Sequence, residues 1–199
     1  MTRLVLASAS PARLATLRAA GIDPEVVVSG VDESVVTTPD PAALASELAA
    51  LKARAVAATE TDAVVVGCDS VLALDGAIHG KPRDAAEAVA RWRSMRGRSG
   101  VLHTGHCVIA PGHDEAVAGA ATTVHFADVS DAEIEAYVAT GEPLRVAGAF
   151  TIDGLGGAFV RGIEGDHHTV VGISLPLLRD LLASVGVPWV SLWTGPATT

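Results

Sequence analysis

The chain has 199 residues, of which 49% are hydrophobic and 19% are charged. This length supports one sizeable core, and the high apolar content argues against an intrinsically disordered protein. The net charge of −9 argues against a broad surface for nucleic acid or anionic membrane, and no apolar stretch is long enough to cross a bilayer.

The first half of the chain alternates between strand and helix patterns. Ser10 followed by Pro11 is typical of a helix start, since serine caps the free N–H groups and proline loses no hydrogen bond at the first helical position. The predicted elements are a strand at 3–7, a helix from Ser10 to Gly21, a strand at 25–29, a helix from Asp40 to about Ala58, and the strongest strand at 63–74 before a turn at Asp75-Gly76.

Two capping-box patterns, Asp84 with Glu87 and Ser130 with Glu133, predict helix starts in the second half. The other expectations are helix ends near Gly97 and Gly141, a hairpin of strands 101–110 and 116–127, glycine-rich loops and short strands over 148–172, a last helix from Ser174, and a flexible tail from about 190 to 199. This mixture predicts a single α/β domain over 1–199.

The opening segment, residues 7–21, is the first candidate site. A strand that runs into a helix start through small residues presents free N–H groups and the positive end of the helix dipole. Ser8 and Ser10 add hydroxyl groups, and Arg13 adds a charge that can pair with two phosphate oxygens. The alternative is an ordinary helix cap with a solvated arginine.

Four further candidates carry charge. Asp69 lies inside the most hydrophobic strand, where a carboxylate is costly to bury, so it faces a cleft or pairs with a cation. Lys81 lies in a Gly-Lys-Pro turn that favours an anion site. The local sequence around Glu33, which follows Asp32, is typical of a solvated loop. The local sequence around Lys52 is likewise typical of a solvated lysine.

Three further features favour different interpretations. Asp153 lies in a glycine-rich loop that can approach a ligand closely. The pair His167-His168 is more typical of surface residues than of a metal site. Arg91, Arg93, Arg96 and Arg98 are expected on a solvated helix face, and the isolated Cys68 and Cys107 predict reduced thiols in a cytoplasmic protein. The short apolar run at 3–7 is explained better by a strand than by a signal peptide.

The order of these motifs along about residues 4–182 resembles the Maf family of nucleoside triphosphate pyrophosphatases. The residues that carry the resemblance are SASPAR at 8–13, DE at 32–33, GCDSV at 67–71, GKP at 80–82, TG at 104–105, TGEP at 140–143, AGA at 147–149 and VVGISLP at 170–176. Together these motifs are highly specific.

Three positions depart from the family pattern at points that bear on the accepted base. Ala12 replaces the first of two arginines, Ser70 replaces a threonine, and Asp153 replaces a glutamine or glutamate. A smaller departure is Thr169, where the family's GDxxN loop has asparagine. The resemblance therefore supports the type of reaction better than it supports the identity of the base in the substrate.

The resemblance implies cleavage of a nucleoside triphosphate between its α and β phosphates, with a divalent cation, Mg²⁺ or Mn²⁺. It implies a mixed α/β fold with a long, bent sheet flanked by helices and a cleft between two lobes. It further implies that Asp69 activates water, that Glu33 serves the metal or the water, and that the phosphates bind to Ser8, Ser10, Arg13, Lys52 and Lys81. Clearance of non-standard or modified nucleotides is one role this activity could serve.

Asp153 would face the base. Because a carboxylate only accepts hydrogen bonds, it suits bases with N–H donors such as guanine. Ala12 and Ser70 would complete the positions that bear on the base.

Two alternatives remain open. The inosine-triphosphate pyrophosphatases share the reaction and a similar fold, but a more basic opening segment is expected there. A non-catalytic nucleotide-binding regulator of septum formation could keep the pocket without turnover. In each case the expected partner is a nucleoside triphosphate, with no nucleic acid or membrane, and the resemblance admits a homodimer.

Overall fold

A computed structural model describes residues 2–194 as a mixed sheet of seven strands flanked by helices. The strand order is β2-β1-β3-β5-β6-β7, with β4 paired to β3. Strand β1 is parallel to β2 and β3, and the other pairs are antiparallel. The strands are β1 Leu4–Leu6, β2 Glu25–Val26, β3 Val64–Leu74, β4 Ala77–His79, β5 Ser99–Ile109, β6 Ala116–Phe126 and β7 Val160–Glu164.

Six α-helices accompany the sheet within residues 2–194. A serine or aspartate side chain caps the start of each helix. A proline follows the cap of α1, α2 and α6, a complete capping box begins α4, and a single aspartate caps α3 and α5. The helices are α1 Pro11–Ala19, α2 Pro41–Ala57, α3 Ala85–Met95, α4 Asp131–Ala139, α5 His167–Val171 and α6 Leu175–Ser184.

Helix α2 crosses β3 and β5 in unusually close contact, and two glycines permit it. A Cβ atom on Gly67 would lie 2.3 Å from the carbonyl oxygen of Ala49, and one on Gly105 would lie 2.2 Å from that of Ala45. These distances are too short for any side chain. The approach places Lys52 of α2 directly over the middle of β3.

Buried apolar side chains form two lobes. In the first lobe, β1, α1 and α6 contribute Leu6, Leu17 and Leu182 to one face of the sheet, and α2 covers the other. In the second lobe, α3, α4 and the distal ends of the long strands pack around Trp92 and Phe126, whose rings meet edge-to-face at 5.7 Å. The predicted fold class, a mixed α/β sheet flanked by helices with two lobes, is confirmed.

Most predicted elements are present, including the long hairpin of β5 and β6 and the complete capping box of Ser130 and Glu133. The predicted strand at 25–29 extends only over two residues, and β4 was not predicted. Only half of the predicted capping box at Asp84 is present. The Asp84 carboxylate accepts from the N–H of Glu87, but the Glu87 carboxylate accepts from the N–H of Arg83 and not from that of Asp84.

The first part of the predicted tail packs against the first lobe. Residues Trp189–Leu192 form a 3-10 helix, Leu192 is buried in the first lobe, and the N–H of Thr194 donates to the carbonyl of Gly21. Packing against α1 and α6 thus continues beyond residue 190. Residues 195–199 of that predicted tail lie outside the described residues.

Candidate active site

A cleft of about 1520 Å³ opens between the two lobes. Its walls come from the β1–α1 junction, β3, α2 and the loops that follow α4. Every predicted site residue lines it: Ser8, Ser10, Ala12, Arg13, Glu33, Lys52, Asp69, Ser70, Lys81 and Asp153.

The β1–α1 junction forms the floor of one end of the cleft. The hydroxyl of Ser10 caps α1 by accepting from the N–H of Arg13 at 3.4 Å, and the N–H of Ser10 donates to the Ser8 hydroxyl at 3.2 Å. Pro11 occupies the first helical position. The start of α1 therefore presents its dipole and its remaining N–H groups to the cleft, an arrangement that favours an anion.

The guanidinium of Arg13 bonds mainly to other groups of the protein. Its guanidinium makes four hydrogen bonds to protein oxygens, out of the five N–H donors an arginine has. The acceptors are the Gly172 carbonyl at 2.7 Å, the Cys68 carbonyl at 2.8 Å, the Ser8 hydroxyl at 3.1 Å and the Ser70 hydroxyl at 3.2 Å. These four bonds connect α1 to β3 and to the end of α5, and the role of Arg13 in phosphate binding stays a prediction.

Ser70 belongs to the same network. Its hydroxyl lies 2.8 Å from that of Thr104, which donates to the Thr169 carbonyl at 2.9 Å. Successive residues of a strand point to opposite faces, so Ser70 and Asp69 lie on opposite sides of β3. Ser70 thus contacts Arg13 rather than the side chains near Asp69.

The central feature of the cleft is a lysine between two carboxylates. Lys52 Nζ lies 2.5 Å from Asp69 Oδ1 and 2.8 Å from Glu33 Oε1. The side chains of Lys52 and Asp69 are 11% and 13% exposed, whereas that of Glu33 is 56% exposed. The strand buries Asp69, α2 supplies its cation, and Glu33 reaches the pair from a solvent-facing turn.

Asp32 has a different role from its neighbour. Its carboxylate accepts from the hydroxyl of Ser34 at 2.7 Å and from the N–H of Ser34 at 3.0 Å. The hydroxyl bond, and then the N–H bond, hold the pKa of Asp32 below its usual range. Asp32 therefore caps the 3-10 turn Glu33–Val35 that directs Glu33 toward Lys52.

The loop that carries Lys81 is fixed from two sides, while Lys81 itself is exposed. The carbonyl of Gly80 accepts from Arg91 Nη1 at 2.6 Å and from the N–H of Gly148 at 3.0 Å. Arg91 also donates to Glu87 at 2.7 Å. The prediction of a solvated arginine face is therefore wrong for Arg91, which is only 6% exposed, because it bonds to the Gly80 carbonyl of the loop and to Glu87 of its own helix.

The loop that carries Asp153 lies at the opposite wall. Asp153 is exposed to the cleft, and within residues 2–194 its carboxylate makes no hydrogen bond. A different carboxylate, Glu142 of the TGEP motif, holds the two arms of this loop. Glu142, Arg91 and Arg145, an exposed cation that also lines the cleft, are not among the site residues predicted from the sequence.

Other candidates lie outside the cleft. His168 contacts Asp166 at 3.2 Å, and His167 is exposed. Cys68 and Cys107 are free and buried, and burial raises the pKa of each thiol to about 12.

Among residues 2–194 no group of three or more His, Cys, Asp or Glu side chains could hold a metal ion. The helices in this range are all too short or too polar to cross a membrane.

The capped helix start, the cations and the paired carboxylates of this cleft are typical of proteins that bind phosphorylated ligands. A sequence model of the family described as "Maf-like protein" matches residues 3–185. The chain belongs to this family, which confirms the resemblance found in the sequence.

Named relatives match nearly the whole chain. A "Nucleoside triphosphate pyrophosphatase" of Salinispora tropica is 61% identical and covers 99% of this chain and 90% of its own. One of the same name from Streptomyces coelicolor is 59% identical over 96% of this chain and 94% of its own. A solved structure of the Staphylococcus aureus Ham1 protein is 13% identical, with a TM-score of 0.46, over 96% of this chain and 94% of that one.

Proposed function

We propose that this protein hydrolyses a nucleoside triphosphate between its α and β phosphates, releasing a nucleoside monophosphate and pyrophosphate. The observation that carries the proposal is the buried Asp69, held with Glu33 at the ammonium of Lys52 in a cleft that the start of α1 also faces. The relatives' name, nucleoside triphosphate pyrophosphatase, supports an enzyme.

We assign Asp69 as the general base that accepts a proton from the attacking water. A water oxygen bonds to one phosphorus of the α–β bridge, the bridging P–O bond breaks, and its electron pair leaves with the departing phosphate group. The proton lost by water passes to the Asp69 carboxylate. Lys52 orients this carboxylate before the reaction, because its ammonium contacts Asp69 Oδ1 at 2.5 Å.

The residues present fit a divalent metal ion. Glu33 and Asp69 are oxygen donors of the kind that Mg²⁺ and Mn²⁺ prefer, and both meet at one point on Lys52. When bound, such an ion would withdraw electrons from the phosphate oxygens and make water more acidic. Two carboxylates are too few to complete a coordination sphere, so phosphate oxygens and water would supply the remaining ligands.

Cations around the cleft offset the charge of the triphosphate. Lys81 and Arg145 are both exposed, and both line the cleft. The start of α1 contributes its dipole and N–H groups at the other end. Arg13 also lines the cleft and contributes its positive charge there, while its guanidinium remains bonded to protein oxygens. The free and buried cysteines suit a reducing compartment, and we propose the cytoplasm as the location.

The experiment is a screen for pyrophosphate release over standard and modified nucleoside triphosphates, each with Mg²⁺, with Mn²⁺ and with a chelator. We expect equal amounts of monophosphate and pyrophosphate from at least one nucleotide, and no product with the chelator. Release of inorganic phosphate and a diphosphate would contradict the proposed bond. Nucleotide binding without turnover in every condition would support the non-catalytic regulator instead.

A further inference from the structure

Glu142 is the most heavily hydrogen-bonded carboxylate of the cleft, yet it is not one of the residues assigned to the chemistry above. It begins the 3-10 helix Glu142–Arg145, immediately after the left-handed Gly141 that ends the α4 segment. Its carboxylate accepts four hydrogen bonds, from the Tyr137 hydroxyl at 2.9 Å, the Thr151 hydroxyl at 2.5 Å, and the N–H groups of Leu155 and Gly156 at 3.0 Å each.

Three of these four donors belong to one loop. Thr151 precedes Asp153 by two residues, and Leu155 and Gly156 follow it by two and three. The two arms of the loop therefore converge on one carboxylate, with Asp153 at the turn between them. Tyr137 strengthens the junction, since its hydroxyl oxygen also accepts from the N–H of Thr151 at 3.2 Å.

The loop backbone approaches this carboxylate too closely for a side chain. A Cβ atom on Gly154 would lie 2.6 Å from Glu142 Oε2, and one on Gly156 would lie 2.4 Å from the Tyr137 hydroxyl. Gly154 is thus explained by the approach of the loop to Glu142, and Gly156 by its approach to Tyr137. A shift of this carboxylate would displace the backbone on both sides of Asp153.

The charge of Glu142 is part of this arrangement. Burial by itself raises the pKa of Glu142, but the hydrogen bonds from Thr151, Gly156, Leu155 and Tyr137 together lower it below its usual range. An ionised carboxylate accepts through both oxygens, which matches four donors. A neutral amide in its place would direct an NH₂ group at one of the loop donors.

The loop also presents an apolar surface to the cleft. Leu155 is 61% exposed and lines the cleft together with Asp153. A leucine exposed beside an acceptor-only carboxylate offers one apolar contact and one polar contact. That pair of contacts fits a flat, N–H-bearing base better than it fits a phosphate chain.

We infer that Glu142 is the positioning residue for base recognition: its carboxylate sets where Asp153 and Leu155 stand in the cleft and thereby which base the protein accepts. This inference rests on the proposed function. Glu142 acts through the loop, because three of the four donors to its carboxylate are loop groups. Its loss should therefore change the ranking of nucleotides more than it changes turnover of the best one.

The test compares Glu142→Gln with wild type over the four ribonucleoside triphosphates and the four deoxyribonucleoside triphosphates. We expect the ratio of kcat/KM between the first-ranked and second-ranked nucleotide to fall by about tenfold, mainly through KM, because loop hydrogen bonds are left unpaired. Glu135→Gln, the same change at an exposed position of α4, is the matched control and should leave the ranking unaltered.

A second variant tests the inference if Glu142→Gln does not fold. Thr151→Val keeps the shape of the side chain and removes one donor to Glu142, so the selectivity ratio should fall in the same direction by a smaller factor. Equal losses for every nucleotide, or an unchanged ratio in both variants, would overturn the inference. A wild-type protein that turns over no nucleotide would instead overturn the proposed function, so the two failures are distinguishable.

Discussion

The ammonium of Lys52 and the carboxylate of Asp69 form a buried contact of 2.5 Å between a helix and a strand, and Glu33 approaches the same ammonium from solvent at 2.8 Å. A charge buried without a partner is strongly unfavourable, whereas a paired one keeps its ionised form. This relationship explains how the most hydrophobic strand can hold a carboxylate, because the ammonium of Lys52 supplies a partner for it. It also makes Asp69 and Lys52 interdependent.

Replacement of the proposed base tests the central assignment. Asp69→Asn keeps the side-chain shape and removes the proton acceptor, so turnover should fall by about 10²–10⁴-fold. Nucleotide binding, measured by calorimetry with the same metal present, should persist. Asp114→Asn, in the exposed turn of the β5–β6 hairpin, is the control. Near-normal turnover of Asp69→Asn would remove Asp69 from the reaction.

The two lysines of the chain should respond differently to replacement by alanine. Lys81 is exposed, so Lys81→Ala should raise KM by about tenfold or more, as expected for loss of a charged contact, with little change in melting temperature. Lys52→Ala should lower both activity and stability, because it leaves Asp69 buried without its partner.

Arg54→Ala, on the exposed side of the same helix as Lys52, provides the matched control and should change neither property much. Steady-state kinetics and thermal unfolding together separate the cases. If Lys52→Ala melts at the wild-type temperature, the buried pair does not stabilise the fold. If Lys81→Ala leaves KM unaltered, Lys81 does not bind the triphosphate.

Local signals in the sequence were sufficient for much of the architecture. Ser10 with Pro11, and Ser130 with Glu133, predict helix starts because capping involves only residues a few positions apart. The long strands β3, β5 and β6 are likewise visible as apolar runs. The motif order then placed Asp69, Lys52 and Glu33 together as candidates, though no local pattern shows that they touch.

Long-range contacts account for what sequence reasoning missed. Arg91 looks like its exposed neighbours on α3, and only the fold brings the Gly80 carbonyl to it. Glu142 was visible within a motif, but its partners lie up to 14 residues further along the chain. The bonds from Arg13 to the carbonyls of Gly172 and Cys68 likewise join residues that are remote in sequence.

Arg91 provides a test of the loop that holds Lys81. Arg91→Gln removes a buried charge and its bond to the Gly80 carbonyl, so KM for the triphosphate should rise as Lys81 loses its fixed position. Unfolding free energy should fall by about 1–3 kcal/mol, the cost of hydrogen bonds to a charged group. Arg93→Gln, at a 46% exposed position of the same helix, is the control. Identical kinetics and stability for the two variants would contradict the assignment.

His106 predicts a pH dependence of stability. It is fully buried, its Nε2 accepts from the N–H of Ser174 at 2.8 Å, and burial and then the charge of Arg13 lower its pKa to about 4. The unfolded chain, with an ordinary pKa near 6.5, binds the proton first as pH falls. Native stability contributed by neutral His106 is therefore present above about pH 6.5 and is lost progressively toward pH 4.

The size of this loss follows from the difference between the two pKa values, and it reaches about 3 kcal/mol by pH 4. Carboxylates also titrate in this range, so the measurement is the difference between wild type and His106→Gln in urea unfolding at pH 7 and pH 4. His125→Gln, a change at a partly exposed histidine of β6, is the control. A wild-type and a His106→Gln protein that lose equal stability would show that His106 does not titrate in this way.

Base preference is the last prediction, and it depends on Asp153. Its carboxylate lies at the cleft without a hydrogen bond among residues 2–194 and offers only acceptors, so it suits a base edge with two adjacent N–H donors. We expect the wild-type protein to prefer guanine nucleotides, or a modified guanine, over dTTP and UTP. A pyrimidine carbonyl beside the carboxylate would be repelled, at a cost of about 1–3 kcal/mol, or roughly one to two decades in kcat/KM. Asp153→Gln supplies both a donor and an acceptor and should move the ranking toward dTTP and UTP, whereas Asp114→Gln should leave it in place. The prediction fails if the wild-type protein prefers dTTP or UTP over every guanine nucleotide tested, or if Asp153→Gln leaves the ranking of substrates as it was.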